Sequence, residues 1–387
     1  MHKAVKVVLS VLAAAALASV VTAQNSAKLK VGFIYVGPVG DFGWTNAHDQ
    51  ARKKVMKELP WLETLTVESV PEAQAGAYID QLVKQGVNVV LTTSFGYMDA
   101  TLAAAQKYPD VIFAHASGFK RAANVATYMA DFYQVYYLDG LMAGVLTKSN
   151  KIGYVGNFPL SETKRHINAF ALGVRAVNAK ATVNVRWINS FYDPAAAKEA
   201  TEALVADGND VFAFTEDSPT VVQVAAKHNL PSFSHYSPMQ DFGPKTVVSG
   251  QLVHWDVIYK DFFTKIHDGT YTAKNLQNVD YWSLLGQGGA ELGAKPGVPI
   301  NPVFVPRLKA KIVTIAGLGR LSVYDAVMKR LAQMSQAKPA FDPYTGPIKD
   351  RNGVVRVPAG PTASVKDLTS MQWAAPGVTG PWQGEPK

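Results

Sequence analysis

The residues best placed to do chemistry are aromatics and small polar groups that meet at the ends of apolar runs. Asp41, Phe42 and Trp44 follow directly on the β-branched and aromatic run Val31-Gly-Phe-Ile-Tyr-Val36, in a loop that also holds Gly40 and Gly43. Two large rings beside a carboxylate make a platform for a flat, polar molecule. The rings stack on its face and the carboxylate accepts its N–H groups. The same coincidence recurs down the chain. Residues 87–91 lead to Thr92-Thr-Ser-Phe-Gly-Tyr-Met-Asp99, and residues 183–188 lead to Asn189-Ser-Phe-Tyr-Asp193. Residues 211–214 lead to Thr215-Glu-Asp-Ser218, residues 231–233 to Ser234-His-Tyr-Ser237, and residues 247–253 to His254-Trp255-Asp256. Taken singly, each Ser, Thr, Asp or Asn is an ordinary helix cap, and Phe42 and Trp44 read as well as core residues under a loop. Repetition across both halves gives the pattern its weight.

Covalent chemistry has no comparable signal. G-x-S-x-G, the phosphate-binding G-x-x-x-x-G-K-[ST] and H-E-x-x-H are all missing. Residues 311–322 imitate a dinucleotide fingerprint but lack its third glycine and the acid about twenty residues on. His235 and His254 are candidates to approach one another, yet a lone histidine is more often a surface or core residue than a metal ligand. No carboxylate pair stands out. The expectation is therefore a binder and not an enzyme, with no catalytic residue, metal or cofactor. With 0 cysteines, disulfides, thiolate chemistry, Cys-ligated zinc and a lipid anchor on Cys are excluded. The net charge of +8 is scattered, and Arg52-Lys53-Lys54 is its one run of three. That reads as a solvated surface and not a nucleic-acid patch.

Elements must hold these turns in place. Lys3 and Lys6, an apolar stretch over 7–21 and Val21-Thr-Ala23 form the n-region, h-region and cleavage end of a signal peptide over 1–23. Free export to a periplasm is expected. The rest alternates short apolar strands with amphipathic helices, which predicts parallel sheets covered by helices on both faces. Strands are expected at 31–37, 65–70, 87–92, 111–115 and 125–129, with helices at 45–59, 74–85 and 98–108. A longer helix over 132–147 leads to a second start, where Ile152-Gly-Tyr-Val-Gly-Asn-Phe-Pro159 echoes Val31-Gly-Phe-Ile-Tyr-Val-Gly-Pro38. Strands at 183–188, 211–214 and 246–253 then alternate with helices at 162–178, 195–206, 218–228 and 256–267. The turns of each parallel sheet share one side, so two such units can face each other across a cleft. After about residue 276 the chain is Gly-rich, and from about 338 it is a Pro/Gly-rich tail expected to pack irregularly over the rest.

Several of these motifs together resemble the basic membrane protein (PnrA-like) family of ABC transporter substrate-binding proteins. They are Val36-Gly-Pro-Val-Gly-Asp-Phe-Gly-Trp44 with His48, Thr93-Ser-Phe-Gly-Tyr-Met-Asp-Ala100, Phe191-Tyr-Asp-Pro194, and Met371-Gln-Trp373 with Pro376-Gly-Val-Thr-Gly380. The resemblance implies an α/β type I periplasmic binding fold: two Rossmann-like lobes with parallel sheets, joined by three crossovers, with the ligand at the hinge. Lobe 1 would take 28–131 and 254–275, lobe 2 149–252, and the segments from 276 to 387 would return over both. The ligand class implied is a purine nucleobase or nucleoside, and the partners are permease subunits in the inner membrane, with the binding protein itself a monomer. By the same resemblance Asp41, Phe42 and Trp44 form the first binding loop, and Ser94, Phe95 and Gly96 the second. Phe158, Trp187, Phe191, Asp193, Thr215 and Asp217 sit where the opposite lobe would contribute. His235 and Trp255 complete the candidates. The loop Gly-Asp-Phe-Gly-Trp replaces the family's Asp-x-Ser-Phe-Asn type. Trp44 would then occupy ribose space, which favours a free base such as adenine. The alternatives are another small polar solute on this fold (an amide, a urea-like compound or a sugar), a periplasmic nucleoside hydrolase, or the ectodomain of a sensor.

Overall fold

A computed structural model describes residues 28–385; the expected signal peptide lies outside the described residues. The first sheet is built from β1 (Leu29–Ile34), β2 (Leu62–Val67), β3 (Val89–Thr92), β4 (Ile112–Ala116) and β5 (Val125–Ala130). Between these strands run α1 (Trp44–Glu58), α2 (Ala75–Lys84) and α3 (Met98–Lys107). After α4 (Tyr133–Leu146), the second unit follows with β6 (Lys151–Gly156), α5 (Ser161–Val177), β7 (Thr182–Trp187), α6 (Pro194–Ala206), β8 (Phe212–Phe214), α7 (Thr220–Lys227), β9 (Ser232–Tyr236) and β10 (Val247–Val253).

The chain then crosses back. α8 (Trp255–His267) packs beside α1, and β11 (Asp280–Ser283) joins the first sheet in parallel beside β5. β12 (Ala290–Leu292) joins the second, antiparallel to β10. α9 (Val305–Ala310), the hairpin β13 (Ile312–Ile315)/β14 (Gly319–Ser322) and α10 (Val323–Met334) follow, with α10 packed on α4. The stretch that imitates a dinucleotide fingerprint is this hairpin. The tail carries β15 (Ile348–Lys349), β16 (Val355–Val357) and α11 (Val365–Thr369), and ends as β17 (Val378–Thr379).

The strand orders are β11-β5-β4-β3-β1-β2 and β12-β10-β9-β8-β6-β7-β17. Every pairing in the first sheet is parallel, and in the second only β12 runs against its neighbour. Parallel strands covered on both faces must be apolar on both, and β3, β4 and β5 are buried at every position. One hydrophobic cluster lies under α2 and α3, another under α6 and α7, and the largest runs through α1, α8, α4 and α5 across both sheets. α4 is apolar nearly all round its circumference and is buried accordingly.

Three crossings join the lobes: after β5, after β10 and between β11 and β12. They are tied to one another. The Asp131 N–H donates to the Ser283 carbonyl at 2.9 Å, and the His254 N–H to the Gly289 carbonyl at 2.9 Å. The side chain of Asp131 is fully buried and receives Arg165 Nε at 2.6 Å and His166 Nε2 at 2.7 Å. Burial pushes this carboxyl up, but Arg165 and His166 outweigh it and hold it at about 2.

Candidate functional site

In each lobe the strand order reverses once, at β1/β3 in the first sheet and at β6/β8 in the second. Open α/β sheets bind ligands at this point, outside the carboxyl ends of the strands. Here the two reversal points face each other. A narrow cavity of about 30 Å³ lies between them. Val36 and Trp44 reach it from the end of β1, Thr93 to Phe95 from β3 and Ser117 from β4. Asn157, Leu160, Glu162 and Thr163 reach it from β6 and the start of α5, Phe191 from β7, Asp217 from β8 and Tyr236 from β9. It opens onto a larger chamber of about 770 Å³, walled partly by Phe119, Arg165, Trp282 and the tail residues Lys366 and Gln372.

Five of the expected site residues line the cavity: Trp44, Ser94, Phe95, Phe191 and Asp217. Trp44 is only 7% exposed. Its indole N–H donates to the Thr93 carbonyl at 2.5 Å, and it is wedged edge-on against Tyr236 at 5.4 Å and Trp255 at 5.1 Å. It is therefore a wall of the site as well as core. Phe95, 40% exposed, stands at the mouth near Phe119. Ser94 donates to Glu72 Oε1 at 2.5 Å, so towards the cavity its oxygen can only accept. Gly96 is needed for Glu72 to sit there: a Cβ on Gly96 would lie 2.0 Å from the Glu72 carboxyl carbon, whose oxygen takes the Gly96 N–H at 3.1 Å.

The other expected residues are placed elsewhere. Asp41 caps α1, accepting N–H groups from Gly43 at 2.8 Å, Asn46 at 2.9 Å and Thr45 at 3.0 Å. Burial nevertheless pushes its carboxyl up to about 6. Phe42 has a left-handed backbone, φ 61°, which turns its ring out onto Phe242 of the other lobe at 5.1 Å. Phe158 lies behind Phe191, edge-on at 4.7 Å. Trp187 donates to the Pro381 carbonyl at 2.7 Å and packs against Trp382, so it holds the tail. Asp193 caps α6 through the Ala196 N–H at 2.9 Å. Thr215 is buried behind the cavity with its N–H on the Val155 carbonyl. His235 is buried in lobe 2, beside Tyr136 at 2.9 Å and Gln251 at 3.1 Å. Trp255 is fully buried and stacked on His48 at 4.3 Å.

Sequence reasoning missed Asn157, Glu162 and Tyr236. Asn157 and Glu162 follow the glycine-containing strand that echoes β1, and that echo was the signal for them. Tyr236 adjoins His235 in the Ser-His-Tyr-Ser turn, and its φ of 62° rotates its side chain, not that of His235, to the cavity. Asn157 Oδ1 accepts from the Phe158 N–H and the Thr163 hydroxyl, both at 2.7 Å, which leaves its amide N–H groups for a ligand. Burial, then the charges of Asp41 and Glu216, raise the Asp217 carboxyl well above the usual range, and the Trp44 backbone N–H of the opposite lobe partly offsets this. The cavity thus has aromatic faces from both lobes and a polar edge mostly from lobe 2.

Two lobes that meet around such a cavity at their reversal points define a two-lobed solute-binding protein. The chain belongs to the family described as ABC transporter substrate-binding protein PnrA-like, whose model matches residues 28–281. Substrate-binding proteins of ABC transporters bind small molecules outside the cytoplasm and are not an enzyme family. The purine-binding protein of Brucella abortus is 35% identical over 92% of this chain and 94% of its own length. A protein of Haloferax volcanii, whose name provisionally assigns it to glucose, is 35% identical over 73% of this chain and 69% of its own. Among solved structures, an ABC transporter solute-binding protein of Aeropyrum pernix superposes with a TM-score of 0.65 at 17% identity, covering 79% of this chain and 91% of that one. It supports the fold alone. No helix among the described residues is long and apolar enough to cross a membrane.

Proposed function

We propose that the protein captures a purine base, adenine-like, between its closing lobes and delivers it in the periplasm to the permease of an ABC importer. The observation that carries this reading is the cavity itself. Its walls are the rings of Trp44, Phe95, Phe191 and Tyr236, contributed by both lobes, and its polar edge is Asn157, Glu162 and Asp217. A ring system entering edge-first would lie between Phe95 and Phe191 and turn its polar edge towards Asn157, Glu162 and Asp217. Stacking on an aromatic side chain is worth about 1–3 kcal/mol per base, and a hydrogen bond to a charged group about 1.5–3 kcal/mol. Together these support micromolar or tighter binding, about −8 kcal/mol. Because both lobes contribute, the ligand binds the closed form better than the open one, and this difference drives closure. The relative named for purine binding supports the same class.

The small inner cavity favours a free base, while the adjoining chamber leaves room for a substituent. The second reading is a sugar, favoured by the Haloferax relative's name. Mass spectrometry of what co-purifies, followed by calorimetry on stripped and refolded protein with adenine, hypoxanthine, guanine, adenosine and glucose, separates the two. A base at micromolar affinity with glucose silent is expected. Glucose binding with every base silent overturns the purine reading.

A further inference from the structure

The lobe interface beside the cavity gathers carboxyl groups and offers them no cation. Asp41 comes from the loop after β1, and Glu216 and Asp217 from the loop after β8; all three are buried. The loops meet at backbone level, since a Cβ on Gly43 would lie 2.5 Å from Asp217 Cα. Asp41 is satisfied by three N–H groups of its own loop and helix, while Asp217 faces the Trp44 backbone N–H of the other lobe. Glu216 receives the Ser218 hydroxyl on Oε1 at 2.9 Å, while its Oε2 is buried without a partner. The titratable groups that face this cluster are Glu162 at the start of α5, Asp193 at the start of α6 and the phenol of Tyr236 at the end of β9, acids all. Among the described residues, no Lys, Arg or His lines the cavity.

Like charges buried together without a counter-ion do not both stay ionised. When the lobes part, each loop meets water and its carboxyls return to the ordinary value of about 4. Closing brings them back into a dry, all-acid interface.

We propose that the protein takes up a proton each time it closes on its ligand, held on the buried carboxyl cluster of Asp41, Glu216 and Asp217 at the lobe interface. The proton comes from solvent and adds to a carboxylate oxygen. The proposal rests on capture by lobe closure, not on the ligand's being a purine. Burial first, then the charges of Asp41 and Glu216, raise Asp217 well above the ordinary carboxylate range, and burial raises Asp41 to about 6. The closed state therefore binds more protons than the open one, and acid favours closure. From about pH 4 up to the raised value, affinity falls as pH rises, by about tenfold per pH unit for one full proton. Above the raised value the dependence disappears.

Calorimetry with adenine at pH 7, in buffers of different protonation enthalpy, counts the protons. Net proton uptake is expected in the unaltered protein, and less of it in D217N. D41N, which keeps an oxygen to cap α1, serves if D217N does not fold. Small-angle scattering of the ligand-free protein from pH 8 to pH 5 is the second arm. Compaction with acid is expected, and it should be lost in D217N. Zero uptake or proton release, or the same uptake in both variants, overturns the proposal. If adenine does not bind at all, the purine reading falls, and the scattering arm decides the proton: compaction supports it and no compaction overturns it.

Discussion

The two lobes share the strand order of their five-strand cores and divide the work unequally. In lobe 1 the polar groups near the cavity are spent internally. Asp41 caps α1, Ser94 donates to Glu72, and the Thr93 carbonyl receives the Trp44 indole. What lobe 1 turns to the ligand is a braced aromatic shelf. In lobe 2 the corresponding strand ends keep polar atoms open to the cavity: the Asn157 amide, Glu162 and Asp217, beside the ring of Phe191. On the proposed reading, one lobe is a preformed wall and the other recognises the ligand. A site that uses the same turn chemistry twice can thus assign shape to one copy and recognition to the other.

Substitutions that act on only one side sharpen this contrast. The largest effect is expected from Trp44→Ala, which removes a ring packed between Tyr236, Trp255 and His48. It should cost about 3–5 kcal/mol of stability, as large buried aromatics do. Urea unfolding measures it, and a native midpoint would show that the shelf is not braced. Next is Gly43→Ala. Its methyl would strike Asp217 Cα and hold the lobes apart, so affinity should fall about a hundredfold or more while each lobe stays folded, because closure is no longer available to the ligand. Unchanged affinity would mean that closure is not required. Phe191→Ala removes the recognising lobe's ring and should weaken binding by about 1–3 kcal/mol with little change in unfolding midpoint. Glu162→Gln is the mildest. Partly exposed at the cavity edge, it should cost about 1 kcal/mol of affinity and nothing measurable in stability. A shift in melting temperature without one in affinity would move Glu162 out of the site.

Most of the frame was legible in the sequence because period and length are local properties. The helices over Trp44–Glu58, Met98–Lys107 and Trp255–His267 lie within a residue or two of expectation. Where reading slipped, distant contacts decided. β2 runs over Leu62–Val67 and not 65–70, since Val70 belongs to a loop buried in the cluster under α2. β11 and β12, hidden in a Gly-rich stretch, exist because they pair with β5 and β10. The turns that build the site were recognisable, but not which side chain in each turn faces inward. Positive φ at Phe42 and Tyr236 inverts the simple alternation, sending Phe42 outward and Tyr236 inward. Asp41 and Asp193 looked like ligand groups because the residue that caps a helix and the residue that holds a ligand have the same chemistry at the same position.

The most direct test of the central claim is a crystal structure of the protein soaked with adenine after stripping. The expected result is a ring stacked between Phe95 and Phe191, its polar edge on Asn157, Glu162 and Asp217. A solute lodged only in the outer chamber against Trp282 and Lys366, with the inner cavity unchanged, would contradict it.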